Sequence, residues 1–133
     1  MDLTELKETF EFLDDWEDRY RFIIDLGKAL PSMPDNLKTD ANLVRGCQSQ
    51  VWLSHQFENE KLVFQIDSDA HIVRGLIAVI TTALADKSAE EINHFDLLGL
   101  FEELDLLNHL SPTRGNGLRA MVDRVRQTAA MQL

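Results

Sequence analysis

Residues 3–13 place Leu3, Leu6, Phe10 and Leu13 at helical spacing. Asp14-Asp15 ends this helix and opens a second. Asp15 suits the N-cap, and Glu17 and Asp18 suit the positive first turn. The second stripe is Trp16, Tyr20, Ile23, Ile24, Gly27 and Leu30, stopped by Pro31. The stretch Pro31-Ser32-Met33-Pro34-Asp35-Asn36 separates this helical region from the rest. The period then changes from helical to alternating. Val51, Leu53 and His55 share one face of a strand over 50–56, and Leu62, Phe64 and Ile66 one face of a strand over 61–67. Glu58-Asn59-Glu60 between them has hairpin length, and Asn59 tolerates a left-handed turn. Leu43-Val44 offers a third short strand.

Helical spacing returns after Asp67-Ser68-Asp69, which reads as a helix cap. Ile72, Val73, Leu76, Ile77, Ile80, Ala83 and Leu84 form a broad apolar stripe. Ser88-Ala89-Glu90-Glu91 is a capping-box pattern for a short helix, and residues 97–104 suggest another. The last helix starts at Ser111-Pro112 and carries Leu118, Met121, Val122, Val125 and Ala129. Helices, a small antiparallel sheet of about three strands, then helices predict an α+β fold. The length of 133 residues predicts one domain over 1–133, able to bury roughly two-thirds of its unfolded surface without disulfides or structural metal.

Charge narrows the choice of partners. The net charge is −10, which disfavours general binding to nucleic-acid phosphates. Residues 1–35 hold ten Asp or Glu against four Lys or Arg, whereas residues 111–133 hold Arg114, Arg119, Arg124 and Arg126 against Asp123 alone. These are solvated faces or, functionally, patches that steer a charged partner. The longest apolar run, Ile72 to Ala85, is interrupted by Arg74 and is shorter than the ~20 residues of a membrane helix. The acidic start Met1-Asp2-Leu3-Thr4-Glu5 lacks the basic opening of a signal peptide. One cysteine cannot form an internal disulfide. Together these features lead us to expect a reducing cytoplasm.

That cysteine sits in the one stretch that looks chemical, Val44-Arg45-Gly46-Cys47-Gln48-Ser49-Gln50-Val51-Trp52. Gly46 allows backbone angles other residues avoid. A loop thiol with polar flanks and Arg45 nearby could be held as thiolate; a buried cysteine acting as a small hydrophobe is the plainer reading. A lone thiol has one consequence for sulfur chemistry. With no second cysteine beside it, a sulfur carried as a persulfide on Cys47 is not expelled by disulfide formation. A Cys–His hydrolase would need a histidine beside Cys47, oriented by a third group. His55 reads as half-buried on a strand, His71 and His94 as helix-surface residues, and His109, just before the Ser111-Pro112 cap, is the remaining candidate. There is no Cys-x-x-Cys pair and no histidine pair four apart on a helix, so no metal site is expected. Gly115 and Gly117 near the start of the last helix cost ~1 kcal/mol each relative to Ala. They mark either close packing, with the cysteine loop a candidate neighbour, or a late helix start. Arg114 beside them could face a thiolate, a persulfide or a partner carboxylate.

The stretch Val44 to Trp52 resembles the signature of the SufE family of cysteine-desulfuration proteins, sulfur acceptors for cysteine desulfurases such as SufS. Trp16-Glu17-Asp18-Arg19-Tyr20 with Ile23 to Gly27 is similar to the family's N-terminal helix. Asp67-Ser68-Asp69-Ala70, Ile72-Val73 and Gly75-Leu76-Ile77-Ala78 are similar to its central helix, and His109 to Arg114 with Gly117-Leu118 to its final helix start. The resemblance implies an α+β fold shared with IscU-type scaffolds. It implies that Cys47 forms the persulfide on a loop shielded until the desulfurase docks. It groups Gly46, Gln48, Ser49, Asp69 and Arg114 around that loop. Pyridoxal phosphate would belong to the partner desulfurase, no cofactor or metal to this chain, and sulfur would pass to an iron–sulfur scaffold complex. A single cysteine does not support a cluster-scaffold role. The expected protein is a monomer or homodimer with protein partners, no nucleic acid and no membrane. A noncatalytic adaptor is the third alternative, and it would not need Cys47.

Overall fold

Short polar caps start most of the helices. Asp2 accepts the Glu5 N–H at 2.9 Å and opens α1, Leu3–Phe12. Asp15 accepts the Asp18 N–H at 2.8 Å and opens α2, Trp16–Ala29. Arg19 closes the corner between them, its Nε donating to the carbonyls of Phe10 and Leu13. The computed structural model describes all residues, 1–133. After two 3-10 turns at Asp35–Leu37 and Asp40–Asn42 come β1, Val51–Glu58, and β2, Lys61–Ser68. Then follow α3, His71–Leu84; α4, Ala89–His94; α5, Leu97–Glu103; and α6, Pro112–Met131. None of these helices is long and apolar enough to cross a membrane.

The strands pair antiparallel from Val51 opposite Ser68 to Glu58 opposite Lys61. Asn59 and Glu60 turn the chain with φ of 51° and 67°. Both lie in the left-handed region that a two-residue hairpin of matching twist requires. The expected third strand shrinks to one bridge, Leu43 opposite Trp52, with the Val44 N–H donating to Val51 O at 2.8 Å. A 3-10 turn ends at Asn42, and Gly46 turns the chain at φ 92°, so only two residues between them stay extended. The sheet therefore has two strands.

Helix α3 is the centre. It packs against α2, β2 and α1, and its apolar stripe is buried as the spacing predicts. At the α2–α3 crossing, a Cβ on Gly27 would stand 2.6 Å from the Gly75 nitrogen, and one on Gly75 would collide with the Ile23 carbonyl. Only two glycines let the backbones meet there. From the other side, α6 adds Leu118, Met121, Val122, Val125 and Ala129 to the same core. The capping box at Ser88 forms as expected, and its backbone and side-chain hydrogen bonds hold the Glu91 carboxyl below its ordinary range.

Two further expectations from the sequence need correction. Asp67-Ser68-Asp69 does not cap α3 with a carboxylate; the cap residue is Ala70, whose own N–H donates to Ser68 Oγ at 3.2 Å, and no side chain accepts from the first turn of the helix. Asp67 is instead buried in an ion pair with Arg74, and it accepts N–H bonds from Met33 at 2.9 Å and Ser68 at 2.8 Å. Arg74 also donates to the Gly27 carbonyl at 3.2 Å and to the Leu30 carbonyl, satisfying the open end of α2. The charge that interrupts the apolar run thus ties α2, β2 and α3 together. His55 is exposed rather than half-buried: the β1 face that is buried at Val51 and Leu53 becomes solvent-facing at His55 and Phe57, while their β2 partners Phe64 and Leu62 take the buried positions.

Candidate functional site

The cysteine loop is a six-residue excursion between Val44 and Val51, whose backbones are bonded at its neck. Gly46 makes the turn in a left-handed conformation and leaves Cys47 facing α6. A Cβ on Gly46 would also stand 3.3 Å from the Ala120 methyl. On the far side of the loop, the Gln50 N–H donates to Asp69 Oδ1 at 3.1 Å, and the Asp69 N–H donates to Gln50 O at 3.3 Å. Asp69 is therefore a loop anchor rather than a pocket residue.

Cys47 is half-buried. Its thiol donates to the Gly117 carbonyl at 3.5 Å. A Cβ on Gly117 would stand 3.7 Å from Sγ, so the glycine backbone itself forms the wall beside the sulfur. Of the two sequence readings of these glycines, close packing against the cysteine loop holds at Gly117. The helix does not start late: Ser111 accepts the Arg114 N–H at 3.3 Å, with Pro112 in the first turn. Gly115 makes no such approach to the loop.

A small cavity of about 60 Å³ adjoins the thiol. The loop contributes Cys47, Gln48 and Ser49, and β1 contributes Val51. Val73 and Leu76 of α3 form an apolar side, and Thr113, Arg114, Gly117, Leu118 and Met121 of α6 form the other. The space exceeds the ~10–15 Å³ a water requires by this kind of measure and falls well below the ~300 Å³ of ordinary small-molecule pockets. It has room for an added sulfur on Cys47 and is too small for an ordinary small-molecule substrate. Arg114 stands at this cavity, is exposed, and takes part in no ion pair. Gly46, Gln48, Ser49 and Arg114 are thus gathered around Cys47. Val73, Leu76 and Met121 complete the wall; their place in the apolar stripes announced burial but not this neighbour.

Burial pushes the Cys47 thiol above its ordinary pKa. The hydrogen bond to a carbonyl also requires the proton. The polar flanks and Arg45 therefore do not hold a thiolate here; the free protein keeps a protonated, shielded thiol. No histidine lines the cavity. His109 is stacked on Trp16 with ring centroids 3.5 Å apart, and its Nδ1 lies 2.9 Å from the Asp105 carbonyl. The Cys–His alternative finds no base beside the thiol. No group of three or more His, Cys, Asp or Glu side chains is arranged to hold a metal ion.

The chain matches the family model described as "SufE: Fe-S metabolism associated domain" over residues 4–129. An uncharacterized SufE-like protein of Rhizobium meliloti (strain 1021) is 46% identical over 135 residues, covering 98% of this chain and 96% of that protein. The sulfur acceptor protein CsdE of Escherichia coli (strain K12) is 46% identical over 121 residues, covering 90% of this chain and 82% of that protein. A solution structure of a hypothetical protein from Thermus thermophilus superposes with a TM-score of 0.79 at 20% identity, over 97% of this chain and 93% of that one, which speaks to the fold alone.

Proposed function

From the premise that the chain belongs to the SufE family, we propose that it is a sulfur-transfer protein that accepts sulfane sulfur as a persulfide on Cys47. The donor is a cysteine desulfurase of the SufS type, and the recipient is an iron–sulfur scaffold complex. Relieving the desulfurase of its persulfide raises that enzyme's turnover. Pyridoxal phosphate stays with the partner, and the exchange takes place in the cytoplasm. The observation that carries this reading is the lone thiol beside a small, partly apolar cavity with room for an added sulfur.

The transfer step needs no oxidant. The Cys47 thiol loses its proton, and the thiolate attacks the outer sulfur of the partner's Cys–S–SH. A new S–S bond forms at Cys47 as the partner's S–S bond breaks. The partner leaves as a thiolate and recovers a proton. In the free protein the shielded, protonated thiol slows this attack, so docking of the partner must free it. Once loaded, the outer sulfur sits between the Val73–Leu76 side and the α6 wall, away from water and oxidants. Arg114 faces the same space and can attract a persulfide anion or a partner carboxylate.

Intact-protein mass spectrometry after incubation with a desulfurase and free cysteine tests this. Wild type should gain one reductant-labile sulfur, and Cys47→Ser should gain none and fail to stimulate the enzyme. Full stimulation by Cys47→Ser would sink the carrier mechanism and favour the adaptor.

A further inference from the structure

Gly117, Ala120 and Arg124 lie on one face of α6 at helical spacing, and the cysteine loop rests on that face. Gly117 meets the thiol through its carbonyl. Ala120 lies under Gly46. Arg124, two turns on from Gly117, reaches the chain just before the loop. Its Nη2 donates to Ala41 O at 3.0 Å and its Nη1 to Leu43 O at 3.3 Å. No carboxylate pairs with it, so the guanidinium is committed to these two backbone carbonyls.

Beyond the Val44–Val51 bond that joins them at the neck, the two ends of the loop are tied to different elements. The exit, at Gln50, is anchored to Asp69 at the β2–α3 junction. The entry, at Ala41 and Leu43, is anchored to α6, the helix that also supplies the wall against the sulfur. The tip itself rests on Ala120 and has one hydrogen bond, the long thiol–carbonyl one at 3.5 Å. Whatever fixes the spacing between the loop entry and α6 fixes how deeply Cys47 sits. The rigid two-pronged guanidinium is the one side chain donating across that spacing.

We propose that Arg124 is a positioning residue for sulfur acceptance: it holds the entry of the cysteine loop against α6 and so sets the shielding of Cys47 before a partner docks. Its consequence for sulfur transfer rests on the acceptor reading above; its effect on the thiol does not.

The test uses the full chain as wild type, Arg124→Ala and Arg124→Lys. Alkylation of Cys47 by iodoacetamide is followed across pH, with thermal unfolding measured alongside. Loss of two charge-assisted hydrogen bonds should speed alkylation of Arg124→Ala about tenfold at neutral pH. It should also bring the pH midpoint of alkylation down toward that of an ordinary cysteine. Lys keeps the charge but lacks the fork, so Arg124→Lys should fall between the two. A folded Arg124→Ala with the wild-type rate and midpoint overturns the proposal. If Arg124→Ala does not fold, wild-type behaviour of Arg124→Lys and Arg124→Gln overturns it equally. A desulfurase arm separates the two readings. Faster alkylation with no sulfur gained by wild type upholds the positioning role and removes the acceptor role. Sulfur gain by wild type with unchanged alkylation of the variants does the reverse.

Discussion

Replacing Gly117 with Ala separates stability from sulfur handling, because one methyl group affects both in opposite directions. Gly117 lies inside α6, where Ala is favoured over Gly by ~1 kcal/mol. The added Cβ would stand 3.7 Å from Cys47 Sγ, 3.8 Å from its Cα and 3.9 Å from its Cβ, all ordinary contact distances. No strain offsets the gain, so the variant should be more stable by ~0.5–1 kcal/mol, raising Tm by roughly 2–5 °C for a chain this size. The same methyl enters the cavity of about 60 Å³ where a second sulfur would lodge. The variant should therefore load less persulfide, or lose it faster to reductant, than wild type. Thermal unfolding gives the first quantity, and time-resolved intact mass after desulfurase treatment gives the second. A lower Tm would refute the packing argument. A raised Tm with wild-type persulfide loading and lifetime would refute the claim that this cavity houses the sulfur. The control is Gly75→Ala, the same change in another helix, where the Cβ would collide with the Ile23 carbonyl. Overpacking costs typically 1–3 kcal/mol and should outweigh the helix gain, so Tm should fall.

Further predictions concern charge, proton and cap. Replacing Arg74 with Ala leaves Asp67 buried and unpaired, at a cost of ~3–5 kcal/mol measurable by urea unfolding; a loss under 1 kcal/mol would show that water replaces the guanidinium. The Cys47 thiol is raised above its ordinary value by burial, so alkylation of the free protein should accelerate only above the usual cysteine range of about 8.5. By linkage, the stability contributed by the protonated thiol is fully present below that ordinary value and is lost as pH rises through the higher folded one. Cys47→Ala should remove that alkaline loss, and an unchanged pH profile of Tm would contradict it. Ser88→Ala should cost ~1 kcal/mol through loss of the α4 cap, read as a lower urea midpoint with unchanged slope.

The helices were legible because their signals are local. Asp15 before α2, Ser88 before α4 and Ser111-Pro112 before α6 act within one turn of chain, and the stripes on α3 and α6 repeat with the helix period. The hairpin was legible for the same reason: alternation on each side of Asn59 sets its register. Cys47 and its neighbours Gly46, Gln48 and Ser49 stood out as an unusual local run, and the glycines of α6 left close packing, with the cysteine loop a candidate, and a late helix start both open; the approach is made at Gly117. The remaining features depend on contacts between residues far apart in the chain. Whether Leu43-Val44 becomes a strand depends on where the loop after it must go, and Gly46 sends it to α6. The cap-like Asp67 is drawn to Arg74 and the Met33 amide because burial makes an unpaired charge more costly than an uncapped helix. The same holds at the site. Residue types beside Cys47 suggest a stabilised thiolate, but α3 and α6 close over the sulfur and offer it a carbonyl, which keeps the proton on. Sequence singled out Cys47 as the candidate thiol; the packing of helices distant in the chain decided that it rests protonated and shielded, since desolvation arises only when those surfaces meet.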